Sequence, residues 1–222
     1  MGGSIVQHSG ASGTNNNTPS FNFSSTPTNG NYLLVVVTAQ GITSNFVTSI
    51  TIATSHNTFT RVIGSEVNNA VEAYIYQYNS STDSNGIKFA FGGAYTNQAF
   101  AYVAIEMGGV TSGTADKTST GSGSGSTASV TSVTPSAADV VIAAVSQVST
   151  TGTYTQLDAN LTNLDKRGSV SSVEVNTADN TNWPSSTSTT AGVTVVAVGW
   201  DEILVAFLTT SGVTTNNLPY MA

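Results

Sequence analysis

Tyr32-Leu33-Leu34-Val35-Val36-Val37-Thr38-Ala39 is the stretch on which the fold class turns. It follows Asn29-Gly30, a turn signal, and is apolar almost without interruption. Valine is stiff at χ1 and favours the pleated strand over the helix. A run of this length without alternation predicts a central strand covered on both faces. Residues 139–146 (DVVIAAVS) repeat the same grammar after the short polar segment Ser136-Ala137-Ala138. The two stretches are a faint internal echo, which reads either as pseudo-equivalent central strands or as common strand grammar.

Outward from these, strand signals recur about every ten residues, the spacing of a sandwich or barrel. Residues 19–24 alternate Phe21 and Phe23, and 47–54 alternate Val47, Ile50 and Ile52. Residues 58–63, 71–79 (VEAYIYQYN), 87–91 and 99–107 (AFAYVAIEM) follow. In the second half the signals lie at 128–133, 139–146, 153–157, 168–176, 190–198 and 201–208. Residues 157–164 (LDANLTNL) carry the one weak helical pattern, worth a turn or two. The expectation is an all-β, two-sheet antiparallel sandwich, jelly-roll-like, with about a dozen strands. Its expected organisation is a polar arm at 1–18 with a short strand at Ile5-Val6, the sandwich at 19–208, and a tail at 209–222. A Gly/Ser-rich loop at 111–127 lies within the sandwich. Its run Gly121-Ser122-Gly123-Ser124-Gly125-Ser126 has a flexible-linker composition, so a domain boundary there is the alternative.

Composition excludes several function classes. The 222 residues hold 5 Lys+Arg against 12 Asp+Glu, a net charge of −7, and no Cys. Five basic side chains cannot neutralise a run of phosphates or anchor the chain to an anionic membrane. Without Cys there is no disulfide scaffold, thiolate zinc site or cysteine nucleophile. No apolar run approaches the roughly 18 residues of a spanning helix. The opening Met1-Gly2-Gly3-Ser4 lacks the basic and apolar regions of an export signal. A surface this poor in charge must be built from Ser, Thr, Asn, Gly and backbone, and it tolerates close packing against copies of itself or a partner.

Catalytic and metal motifs are weak, and no catalytic, cofactor-binding or metal-ligating residue is assigned. GSGSG at 121–125 puts glycine where a nucleophile elbow needs serine. His56 reads as a turn residue, and His8 is too distant in sequence to pair with it in a zinc motif. Glu72, Glu106 and Glu174 lie on expected strands, but nothing selects two of them as a glycosidase pair. Asp83, Asn85 and Gly86 read as a solvated turn, not a calcium loop. Asp201 and Glu202 are neighbours on a strand, so they point to opposite faces. The candidate contact residues are aromatic. Tyr74, Tyr76 and Tyr78 share one strand face, either packed on the second sheet or open as a partner or sugar stripe. Trp183, before Pro184, is the candidate exposed rim, Trp200 is read as core, and Tyr220 belongs to the tail.

The segments GNYLLVVVTA at 30–39, VTSITIATSHNTFTRV at 47–62, VEAYIYQYN at 71–79, AYVAIEMGGV at 101–110, SAADVVIAAVS at 136–146 and WDEILVAFL at 200–208 resemble a known group. It is a jelly-roll or lectin-like β-sandwich family found in phage structural proteins and bacterial surface proteins. The resemblance implies a non-enzymatic virion structural protein, a capsid decoration protein or a tail or fibre component. Implied partners are the major capsid or other virion proteins and sister subunits in a homo-oligomer, with a host-surface glycan as a further ligand. Nucleic acid, membrane and cofactors are not expected. Two other readings stand beside it: a self-polymerising extracellular filament subunit using strand exchange, and a carbohydrate-binding adhesion module at the cell surface.

Overall fold

The structure, a computed structural model, describes residues 2–14, 18–52, 58–92, 99–148, 154–168, 173–184, 187–196 and 198–210, with backbone alone for 163–168. The described residues contain strands and no helix. The first eight strands are β1 (Ser4–Thr14), β2 (Ser20–Asn22), β3 (Tyr32–Ala39), β4 (Val47–Ile52), β5 (Thr60–Ser65), β6 (Ala70–Gln77), β7 (Gly86–Phe91) and β8 (Ala99–Gly108). The next eight are β9 (Lys117–Gly123), β10 (Thr127–Ala128), β11 (Val140–Gln147), β12 (Thr155–Gln156), β13 (Thr162–Gly168), β14 (Glu174–Asn180), β15 (Val193–Thr194) and β16 (Trp200–Phe207).

These strands form four antiparallel sheets, not the two expected. Their orders are β1-β8-β3-β6-β5 and β2-β7-β4, then β9-β16-β11-β14-β13 and β10-β15-β12. Adding eight to every label of the first pair reproduces the second. The chain is therefore two topologically identical eight-stranded units in tandem, with β3 and β11 as the matched central strands. The expectation of two sheets arose because each half supplies too few strong strand signals to stand alone, so both halves were folded into one sandwich.

The sheets stack in four layers. Leu34 and Val36 face one way from β3 and meet Ile142, Ala144, Ile203, Val205 and Phe207 of the second large sheet. Leu33, Val35 and Val37 face the other way and meet Ile50, Ile52, Ile87 and Phe89 of the first small sheet. Both faces of β3 are thus in apolar layers, which is why its sequence does not alternate. The outer layer of the second unit joins Val141, Ala143, Leu204 and Ala206 to Trp183 and Ala191, and Val145 and Trp200 to Ala128 and Val193.

Three strands differ from the sequence expectation. Ser4–Thr14, read as an arm, pairs along the whole of β8 as a border strand, with the anticipated Ile5-Val6 inside it. Residues 117–123, read as a flexible loop, pair with β16 as β9. Residues 157–164 form a turn and the start of β13 in place of helix, because Asp158 accepts the Asn160 N–H at 2.9 Å and closes a short Asx turn. All three strands are sheet borders, each hydrogen-bonded to one neighbouring strand, and their sequences carry little apolar periodicity to read.

Candidate functional site

The tyrosine stripe of β6 faces the first small sheet. Tyr74 and Tyr78 are buried, and Tyr76 is half-buried against the same cluster. Tyr74 Oη donates to Glu72 Oε2 at 2.8 Å and Tyr76 Oη to Asp83 Oδ2 at 2.9 Å. The stripe therefore takes the packing alternative, and only Tyr76 keeps accessible ring area. With Gln77 it borders two neighbouring grooves of about 310 and 450 Å³, the first also lined by Tyr32, Thr58 and Thr60. Trp183, expected at an exposed rim, is 1% exposed and donates its Nε1–H to the Thr187 carbonyl at 2.9 Å. Its ring fills the outer layer of the second unit, while Pro184 beside it is exposed. Trp200 is core, as expected. Tyr220 and His56 lie outside the described residues.

The carboxylates are placed unexpectedly. Glu72, Glu106, Asp139, Glu174, Asp201 and Glu202 are buried, half of the chain's 12 acidic residues. Burying a charge is costly unless hydrogen bonds or a partner compensate it. Glu106 accepts from Gln7 Nε2 at 2.6 Å, Asn31 Nδ2 at 2.6 Å and the Thr28 N–H at 2.8 Å. It thereby ties the entry of β3 to β1. Asp201 accepts from Ser65 Oγ at 2.6 Å and from the N–H groups of Val67, Asn68 and Asn69 at 3.0, 2.7 and 2.7 Å. That carboxylate of the second unit thus holds the β5–β6 turn of the first. Asp139 accepts the Ser136 N–H at 2.9 Å, and burial pushes it up to about 6. Glu72 lies 3.5 Å from Arg61 Nη2, and burial lifts it to about 7 against the lowering pull of Tyr74 and Arg61.

These positions do not assemble a catalytic pair. Glu72 sits opposite Val37 and Glu106 opposite Leu33, four residues apart along β3, or roughly 13 Å at strand rise. A glycosidase pair needs its carboxyls within about 5–9.5 Å across an open cleft. Glu174 is in the other unit, bound by Gln147 Nε2 at 3.3 Å. Asp201 and Glu202 point to opposite faces, Asp201 to the shared layer and Glu202 to the outer one. Among the described residues no three His, Cys, Asp or Glu side chains converge as a metal group.

A groove of about 520 Å³ runs over the second small sheet. Ser129, Ser132, Ser188, Thr190, Asp158 and Leu157 are among its lining residues. Leu157 is 56% exposed there, and Asp158 also meets the Thr189 hydroxyl. Hydroxyls, one carboxylate and one apolar side chain suit a neutral polar ligand. No family model, curated protein or solved structure matches the chain.

Proposed function

We propose that the protein is a non-enzymatic structural component of a phage virion, best described as a capsid decoration protein, that works by packing against capsid and sister subunits. We read each eight-stranded unit as jelly-roll-like, with strands one, eight, three, six and five in one sheet and two, seven and four in the other. The observation that carries the reading is the withdrawal of half the carboxylates into the interior. Glu106, Asp139 and Asp201 serve turns and strand entries there, and the surface left outside is poor in charge and rich in hydroxyl, amide and backbone groups. Such a surface can be covered by a partner while stranding few charges. Border strands such as β1, with Val6 50% exposed, offer edges for strand addition.

The test is to purify the chain and image it by negative-stain electron microscopy at rising concentration, then mix it with capsids that lack it. Monomers or small closed oligomers that co-sediment with capsids are expected. Regular filaments of the chain alone would replace this reading with the self-polymerising one. The hydroxyl-lined groove favours a carbohydrate-binding module as a second reading. Saturable glycan binding that weakens on Leu157→Asp would support it.

A further inference from the structure

Glu202 projects from β16 into the outer layer of the second unit and is 1% exposed, and its Oε2 has no hydrogen-bond partner. It lies in register with Val145 of β11, which lies in register with Asn176 of β14. The three side chains form one row across the sheet, with Glu202 and Asn176 flanking the valine. Gln156, from the small sheet above, closes the space over them. Its Nε2 is turned away, towards the Ala191 and Gly192 carbonyls at 3.4 and 3.2 Å. Its Oε1 takes no part in those two bonds. The void among these residues is about 10 Å³, close to the volume that admits one water-sized particle.

The first unit fills the matching row differently. The strand limits, and the bulges between Arg61 and Ile63 and between Asn163 and Asp165, align the units so that Val145 matches Val37, whose neighbours are Glu72 and Tyr102. The buried carboxylate of that row has partners, Tyr74 Oη at 2.8 Å and Arg61 Nη2 at 3.5 Å. The second unit carries its carboxylate, Glu202, with Oε2 unpartnered beside a void. An unpartnered buried carboxylate is costly.

We propose that Glu202, Asn176 and Gln156 form a site for one small monovalent cation of the size of sodium. The carboxylate supplies the neutralising charge, and the two amide oxygens complete an all-oxygen shell with any water the ion retains. A single carboxylate balances a monovalent ion and leaves a divalent one with uncompensated buried charge. Glu174 stands in the adjacent row, where Gln147 holds it, so it adds no second charge to the void.

The experiment compares thermal unfolding of the intact chain in sodium chloride and in tetramethylammonium chloride at equal concentration and pH. Tetramethylammonium cannot enter so small a void. A midpoint roughly 5 °C higher in sodium is expected at saturation, and it should vanish in Glu202→Gln, which keeps the shape and removes the charge. Should that variant fail to fold, the wild-type midpoint should rise saturably with sodium and much less with caesium, whose ion is too large for the void. Equal midpoints in sodium and tetramethylammonium would mean that Glu202 carries a proton instead, and the site would be withdrawn.

Discussion

Asp201 of β16 accepts a 2.7 Å hydrogen bond from the backbone N–H of Asn69, which lies in the other unit. The same carboxylate takes the N–H groups of Val67 and Asn68 and the Ser65 hydroxyl. Asn68 and Asn69 answer by donating their side-chain amides to the carbonyls of Trp200 and Gly199, each at 3.1 Å. The β5–β6 turn is thus clipped to the second unit from both sides. Asp201→Ala should cost about 3–5 kcal/mol in denaturant unfolding, because it strands several buried donors at once. Hydrogen exchange at 67–69 should accelerate before that of β3. Unchanged exchange there would show that the turn holds without the carboxylate.

The glycines of the Gly-Ser run are not equivalent. A Cβ on Gly121 would lie 1.9 Å from the Ser129 carbonyl oxygen, and one on Gly123 would lie 2.6 Å from the Trp200 ring. Gly125 has nothing within 4 Å. Gly121→Ala should therefore destabilise by about 1–3 kcal/mol or more as backbone is pushed apart, whereas Gly125→Ala should stay within about 0.5 kcal/mol. A true flexible linker would tolerate both equally, and urea unfolding of the two variants distinguishes the cases.

Thr38 and Ser146 hydrogen-bond hydroxyl to hydroxyl across the shared layer, both fully buried. Thr38→Val removes one partner and leaves the other unsatisfied, a loss of about 1–3 kcal/mol. The double variant Thr38→Val, Ser146→Ala removes both and should recover most of that loss. A double-mutant cycle with no coupling would mean that the two hydroxyls are satisfied independently.

Stability should fall as pH rises towards neutrality. Glu72 titrates near 4.5 when unfolded and about 7 when folded, and Asp139 near 3.8 and about 6. Burial is the leading cause of both shifts, so the folded state holds the extra protons. The stabilisation is complete below the unfolded values and is lost as pH climbs through the folded ones. Burial also raises Asp179, in the same direction. Thermal midpoints should therefore decline between about pH 4.5 and pH 7, and Glu72→Gln should flatten the slope. A midpoint that rises over that window would contradict the assignment.

Strands with two buried faces were legible in the sequence. β3 coincides with residues 32–39, and β11 and β16 each lie within a residue of the runs at 139–146 and 201–208. The echo between Asn29-Gly30-Asn31 and Ser136-Ala137-Ala138 marked matched central strands, although the eight-strand repeat behind it was not visible. Border strands β1, β9 and β13 were missed because their Gly, Ser, Thr and charged residues carry no sustained apolar alternation, and pairing to a strong neighbour decides their state. Trp183 was misplaced because proline reports on the backbone and says nothing of where the preceding ring points. The row Glu202–Val145–Asn176 could not be seen from sequence, since it exists only through strand register.

The shared middle layer also orders events during synthesis. The first unit can pair all eight of its strands once Gly108 is made, yet Leu34, Val36, Val103 and Ile105 then present an apolar face with nothing against it. That face stays bare until β11 and β16 have been translated, and β16 is the last of the described strands to be made. Contacts so distant in sequence form slowly, and uncovered sheet faces aggregate. A chain truncated before Trp200 should be captured by chaperones or precipitate instead of persisting as a half-sized soluble domain.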